Sequence, residues 1–387
     1  MKNITENLAL ETVLVLQGGG SLGAYECGVF KALYENGIKF DILAGSSIGA
    51  INASIICAAQ NEERDASKVL IDFWSDLSED IFRPELPQLW PFLIDDEVMA
   101  FFSSLYSMTY GNHNAFIPRW FISDFSNFFP SRWSFLYDIT PLKQTLKKHI
   151  NFSALRKKLP GQKVFSRLII SATDIQKGLP VVFDNERMDI DEAKIVSCAG
   201  YPFYGINWAH SDGRYLWDGA LLSNTPMLQV IHASPNFDKK YYIVDVFPRQ
   251  QEQLPRNMME VWHRARDIIF MDKTDRNIEI LKEMEKYILV LKKLDDIIGS
   301  EEKGITGAAR RKLKEVRSDY QQLIHRRGAV IRELIRIGRR ERMHYLLEDA
   351  DFSRYRVTKL IKEGETDALR TLEKLQNNGL RQELKRI

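Results

Sequence analysis

Gly45-Ser46-Ser47-Ile48-Gly49 has the spacing of a serine mounted on a sharp turn between a strand and a helix. Such a turn exposes a hydroxyl that can attack a carbonyl carbon. The register selects Ser47 and leaves Ser46 as a spacer; Gly45 and Gly49 leave room for the turn and for close helix packing. The competing reading is a Gly/Ser helix cap without chemistry. Upstream, Gly18, Gly19, Gly20, Ser21, Leu22 and Gly23 form a second small-residue loop. Backbone N–H groups unobstructed by side chains can face a developing oxyanion, and a helix starting directly after them adds a favourable dipole. Gly18, Gly20 and Gly23 also fit G-x-G-x-x-G, but a dinucleotide site wants an acid at the end of the next strand. Asp41 precedes the apolar Ile42-Leu43-Ala44, so it starts that strand. A Walker A loop is excluded, because no Gly-Lys-Ser/Thr follows.

A serine needs a base. Asp218 lies in Trp217-Asp218-Gly219-Ala220, after a predicted strand, where a carboxylate can point into a pocket. Asp-Gly is equally a common turn dipeptide. Of seven histidines, His232 follows Asp218 and satisfies the order Ser, acid, His. It sits at what reads as the end of a surface helix. His210 precedes Asp218, in a polar loop. These local patterns leave the base open.

The elements around these residues read as α/β. Thr12–Gln17 and Phe40–Ala44 are short buried strands, each followed by an apolar helix, Leu22–Tyr34 and Ile48–Ala59. Strand–turn–helix twice in succession argues for a parallel sheet, whose loops meet at its carboxyl edge. Further strands are expected at Arg167–Ala172, Val181–Asp184 and Tyr241–Val246. Leu89–Tyr137 holds 15 Phe, Trp and Tyr in 49 residues, against 11% over the chain. That density suits a packed cap or a lid at a lipid interface. After Pro248 the strand signals stop. Asn257–Leu294 and Ala308–Ile337 read as long charged helices with two shorter ones beyond, and a boundary is placed near Pro255.

Net charge is +2, but Glu301–Ile387 carries 22 Lys and Arg against 14 Asp and Glu, leaving −6 on the rest. The basic stretch Ile331–Arg342 is a candidate for holding an anionic membrane or for homo-oligomer contacts through the C-terminal helices. Cys27, Cys57 and Cys198 read as buried free thiols. With no signal-peptide pattern and no long apolar run, the chain reads as cytoplasmic and peripheral to membranes.

Taken together, GGGSLG at Gly18–Gly23, GSSIG at Gly45–Gly49 and DGA at Asp218, Gly219 and Ala220 resemble the patatin-like phospholipase family, motif by motif and in the same order. AYECGVFKAL, SATDIQKG around Asp174 and SCAGYPF at Ser197–Phe203 add to the likeness, which spans roughly residues 10–250. The resemblance implies an α/β three-layer sandwich: a mostly parallel central sheet flanked by helices, with the aromatic insertion inside an acyl-hydrolase domain at 10–255 and a helical, basic region at 256–387. It implies a Ser47–Asp218 dyad without histidine, an oxyanion hole in the glycine loop, and lipid acyl esters of phospholipase A or lysophospholipase type as substrates. No metal, cofactor or nucleic acid is expected. Acyl transfer through the same dyad and a non-catalytic membrane-associated binding role are the alternatives. Leu22 departs from the family's Arg or Lys, which weakens the case for a phospholipid over a neutral ester.

Overall fold

The computed structural model describes residues 9–80, 96–122, 129–157, 166–251, 253–301, 306–327, 329–339 and 347–384. Residues 89–95 and 123–128 of the aromatic segment, and residues 340–342 of the basic stretch, lie outside the described residues. In chain order the first elements are β1 (Leu10–Leu16), α1 (Gly23–Glu35), β2 (Ile42–Ser46), α2 (Ile48–Asn61), α3 (Ala66–Leu77) and α4 (Asp96–Tyr110). There follow β3 (Ile117–Pro118), β4 (Tyr137–Asp138), α5 (Thr140–His149), β5 (Arg167–Asp174), β6 (Leu179–Asp184), α6 (Glu192–Ser197), β7 (Ala209–Ser211) and β8 (Arg214–Asp218). The chain continues with α7 (Met227–Ala233), β9 (Asp238–Asp245), α8 (Met258–Glu301), α9 (Gly307–Arg327), β10 (Ile331–Gly338) and α10 (Arg354–Leu384).

β1 shows why the sheet is central. Leu14 and Leu16 enter one apolar cluster with α1, α2 and α3, while Val13 and Val15 enter another with α7 and α8. A strand apolar on both faces needs a helical layer on each side. The main sheet runs β10-β9-β1-β2-β5-β8-β7, with β6 also paired to β5. From β10 to β5 every pairing is parallel. β6 and β8 run antiparallel to β5, and β7 antiparallel to β8. This is the expected mostly parallel sheet flanked by helices.

Register brings the motif residues together. Leu16 pairs Gly45, so the loops after β1 and β2 open at the same edge. Ser46 pairs Ser171, and the next residue of β5, Ala172, pairs Asp218. Ser47 and Asp218 therefore arrive at one height on the sheet from opposite strand directions.

The C-terminal region differs from expectation. The helix predicted to reach Ile337 ends at Arg327, and Ile331–Gly338 is β10, parallel to β9. Strands do not stop at Pro248, and the sheet crosses the boundary near Pro255. I-R-E-L-I-R-I-G fits a two-residue repeat as well as a helical one, and only the neighbouring strand decides between them. Ile335 and Ile337 are buried. Arg332 bonds Asp238 at 2.6 Å, and Arg336 bonds Asp245 and Asp275 at 2.7 Å each. These arginines of the basic stretch thus face acids of the same molecule.

Two short helices were expected at the end; Arg354–Leu384 is one long helix, lying along α1. A Cβ at Gly28 would fall 1.8 Å from Ile361 O, and one at Gly364 would fall 2.1 Å from Tyr25 O, so the two backbones touch. Lys31 bonds Glu365 at 2.7 Å beside this crossing. All three cysteines are free and buried. Among the described residues no helix is long and apolar enough to cross a membrane. Gly364→Ala should force the helices apart and destabilise the protein by about 1–3 kcal/mol. Thermal unfolding checks this; an unchanged midpoint would contradict the crossing.

Candidate active site

Ser47 stands between the last residue of β2 and the first of α2, with φ 53° and ψ −130°. A positive φ in a non-glycine residue is strained, and strain of this kind gathers at functional sites. Gly45 and Gly49 make the turn possible: a Cβ on Gly45 would lie 2.2 Å from Gly49 O, and one on Gly49 2.5 Å from Leu16 O. The glycine loop lies against the serine. A Cβ on Gly18 would be 2.6 Å from Ser47 Cβ. Gly20, Ser21 and Leu22 form a 3-10 turn that runs into α1 at Gly23. Leu22 N–H donates to Gly19 O at 3.1 Å, and Gly18 N–H donates to Asn224 Oδ1 at 2.9 Å. The N–H groups of Gly19 and Gly20 have no acceptor among the described residues. Leu22 is buried, so the position where the family carries Arg or Lys packs into the core.

Asp218 ends β8 with no solvent exposure. Oδ1 accepts from Ala220 N–H at 2.8 Å, capping the 3-10 turn Gly219–Leu221. Asp218 N–H donates to Gly200 O at 3.1 Å, and Thr173 Oγ1 donates to Asp218 O at 2.9 Å. Burial pushes its pKa up to about 7; the Ser47 side chain, the Ala220 N–H and the charge of Lys273 limit the rise. Oδ2 makes no hydrogen bond of full geometry among the described residues. No histidine contributes to the Asp218 environment among the described residues. His232 is exposed at the end of α7, and His210 is exposed beside the Tyr215 ring.

Asp174, from SATDIQKG, accepts from Gln176 and Lys177 N–H at 3.0 Å each and shapes the β5–β6 turn. Other residues carry roles that the sequence reading missed. Asn224 bonds the glycine loop. Ser21 Oγ donates to Glu348 O at 2.8 Å, and a Cβ on Gly20, where φ is +58°, would lie 2.3 Å from Asp349 O. Residues 348–349 thus form a wall behind the loop. Arg339 and Arg356 hold Glu348 at 2.8 and 3.0 Å, and Arg266 holds Asp349 at 2.7 Å. More than 300 residues separate this wall from the loop, so no local pattern could reveal it.

With this geometry in place, comparison with known proteins decides the family. Residues 14–231, more than half of the chain, match the patatin-like phospholipase family model. The chain belongs to that family. Members with similar segments include triacylglycerol lipase 5 of Saccharomyces cerevisiae, 44% identical over 52 residues, 13% of this chain and 7% of that protein. Lysophospholipase nte1 of Aspergillus terreus is 55% identical over 42 residues, 11% of this chain and 3% of that one. Neuropathy target esterase sws of Drosophila persimilis is 46% identical over 48 residues, 12% and 3% of the two chains. The matched segments are thus under a tenth of each relative's length. The crystal structure of VipD from Legionella pneumophila superposes with a TM-score of 0.37 at 13% identity, covering 94% of this chain and 67% of that one.

Burial alone would raise the Glu348 pKa, but the charges of Arg339 and Arg356 outweigh it and hold it well below the ordinary carboxylate range. A depressed folded-state pKa means stability present above the unfolded value and lost as pH falls through the folded one. Glu348→Ala, which removes the carboxylate that two buried guanidiniums share, should cost about 3–5 kcal/mol near neutrality. The difference from the parent should shrink as pH falls below about 4.3. Denaturant unfolding at pH 7 and pH 3 checks both; a constant difference would refute the assignment.

Proposed function

We propose that this patatin-like chain hydrolyses the acyl esters of lipids, with Ser47 as nucleophile and Asp218 as its base. The observation that carries this reading is the strained Ser47 turn set against a fully buried carboxyl whose pKa is near 7. Ser47 Oγ attacks the ester carbonyl carbon, and its proton passes to Asp218. Backbone N–H groups of the glycine loop, Gly18–Gly23, receive the oxyanion; the free donors of Gly19 and Gly20 support that role. The intermediate collapses, the alcohol leaves with the proton from Asp218, and an acyl-serine remains. Water then attacks, giving its proton to Asp218; collapse releases the fatty acid and returns the proton to Ser47. A base with a pKa near the working pH suits both directions of transfer.

The same reading extends to how a lipid is reached. α4 turns Phe102, Leu105, Tyr106 and Tyr110 outward and buries Ser103, Ser104 and Ser107. This inverts the usual amphipathic arrangement. Ser103 Oγ bonds Asp351 at 2.6 Å on the inner side, while the Tyr106 and Tyr110 rings meet tilted outside, their centres 4.8 Å apart. An exposed aromatic face of this kind suits a lipid interface.

Ser47→Ala and Asp218→Asn should each lower kcat by at least ~100-fold, the scale on which a positioned base acts. The parent's activity should rise with pH through about 7, as Asp218 loses its proton. A raised folded-state pKa makes the Asp218 contribution to stability full at low pH and lost as pH rises through that value. Asp218→Asn should therefore melt no lower than the parent at pH 8 while being inactive. Retained turnover in Asp218→Asn, with loss in His232→Ala, would replace the dyad by a histidine base.

Phe102→Ser/Tyr106→Ser should lose about tenfold more activity on phospholipid vesicles than on a soluble short-chain ester, since each ring forfeits a kcal/mol or more of apolar burial. Equal losses on both substrates would sink the interfacial role.

A further inference from the structure

The turn that carries Asp218 is gripped at both ends. At its start Asp218 Oδ1 accepts the Ala220 N–H. At its end the ammonium of Lys273, from α8, donates to Ala220 O at 3.1 Å and Leu221 O at 2.8 Å. Asp218 thus holds an N–H at the start of the 3-10 turn and Lys273 holds two of its carbonyl oxygens. Lys273 is half-buried, with its Nζ 5.5 Å from the centre of the Phe270 ring, which restricts where the ammonium can go. α8 itself is tied to the edge of the site one residue later. Thr274 Oγ1 lies 2.6 Å from Thr225 Oγ1 and 3.0 Å from Gln17 Nε2, joining α8 to the strand that leads into the glycine loop.

We propose that Lys273 is the positioning residue of the base: its ammonium pins the turn on which Asp218 is mounted and brings a positive charge to the carbonyls of that turn. The proposal rests on reading Asp218 as the base. The groups that face Asp218 come from four places. Ser47 comes from the turn before α2, Cys198 from the end of α6, Tyr201 from the segment after it, and Lys273 from α8. Burial, and then the Asp218 charge, push the Cys198 thiol and the Tyr201 phenol upward, Tyr201 to about 12, so both are neutral near pH 7. Lys273 is then the cation that acts on Asp218 among the described residues. Removing it takes away a charge that favours the carboxylate, so the pH at which the base becomes available must rise.

The test is kcat and KM against pH for the full chain and for Lys273→Met, Lys273→Gln and Lys273→Arg, with p-nitrophenyl butyrate as the probe. Lys273→Met should lower kcat by about tenfold, part of the 10²–10⁴ that a positioned base supplies, with KM nearly unchanged. Its acid limb should move to higher pH. Lys273→Arg, which keeps charge and donors, should restore most of kcat and return the limb. If Lys273→Met does not fold, Lys273→Gln carries the test, since it keeps a polar group and lacks the charge. A limb at the parent's pH in a folded Met or Gln variant overturns the proposal. Ser47→Ala and Asp218→Asn run beside them. Activity surviving in Asp218→Asn removes the base reading and this proposal with it; activity lost there, with the Lys273 variants unaffected, removes the proposal alone.

Discussion

A carboxyl group with no access to water is the constraint around which this molecule is arranged. Burial penalises the ionised form of Asp218, and nothing in a dry interior would return it to the anion except dipoles and charges placed by the fold. The Ala220 N–H, the Ser47 side chain and Lys273 supply these, from the turn after β8, from the turn before α2 and from α8. Their sum leaves the group near pH 7, between a permanently neutral acid and an ordinary surface carboxylate. Each is fixed by a different part of the chain. The parallel sheet brings Ser47 to the site, the antiparallel β8 brings Asp218, and a helix beyond the matched family region brings the cation.

The same dependence explains the C-terminal architecture. A glycine loop in which the Gly19 and Gly20 N–H groups have no acceptor among the described residues has few bonds of its own to hold it. Asn224 fixes its first residue, and the wall at Glu348 and Asp349 fixes the next ones. That wall is itself held by buried ion pairs with Arg266, Arg339 and Arg356. Buried pairs of this sort add little net stability over apolar packing, but losing one partner is costly. They suit a place where one geometry must be specified. β10 and α10 bring Arg339 and Arg356 within reach, the first by joining the sheet beside β9 and the second by crossing α1 at two glycines.

What the sequence made legible follows from range. Ser47, the glycine loop and Asp218 each lie in a short motif at a strand end, where spacing and turn chemistry are local. The strands around them are apolar on both faces and read clearly as buried. Ile331–Gly338 was misread because its arginines and branched residues fit two periodicities, and the choice between them is made by β9, some ninety residues earlier. Asn224, Lys273 and the 348–349 wall were invisible because their meaning is a contact 50 to more than 300 residues away. Asp218 illustrates the boundary: local sequence could not separate a base from a turn cap, and the structure shows the cap, with one oxygen on the Ala220 N–H and the other without a hydrogen bond of full geometry among the described residues.

That double duty has a mechanical consequence. A carboxylate that also caps its own turn cannot swing away, since rotation would break the bond to Ala220 N–H and leave a buried donor without a partner. Oδ1 is thereby held by the turn, and in the proposed mechanism Oδ2 is the oxygen that takes the proton. A histidine base obtains the same orientation from a third side chain bonded to its far nitrogen. Here the turn fills that place, and the strained Ser47 backbone fixes the other partner. In the proposed Ser47–Asp218 dyad, two mounts at one sheet edge do the aiming that a histidine base takes from a third group, with Lys273 holding the far end of the Asp218 turn.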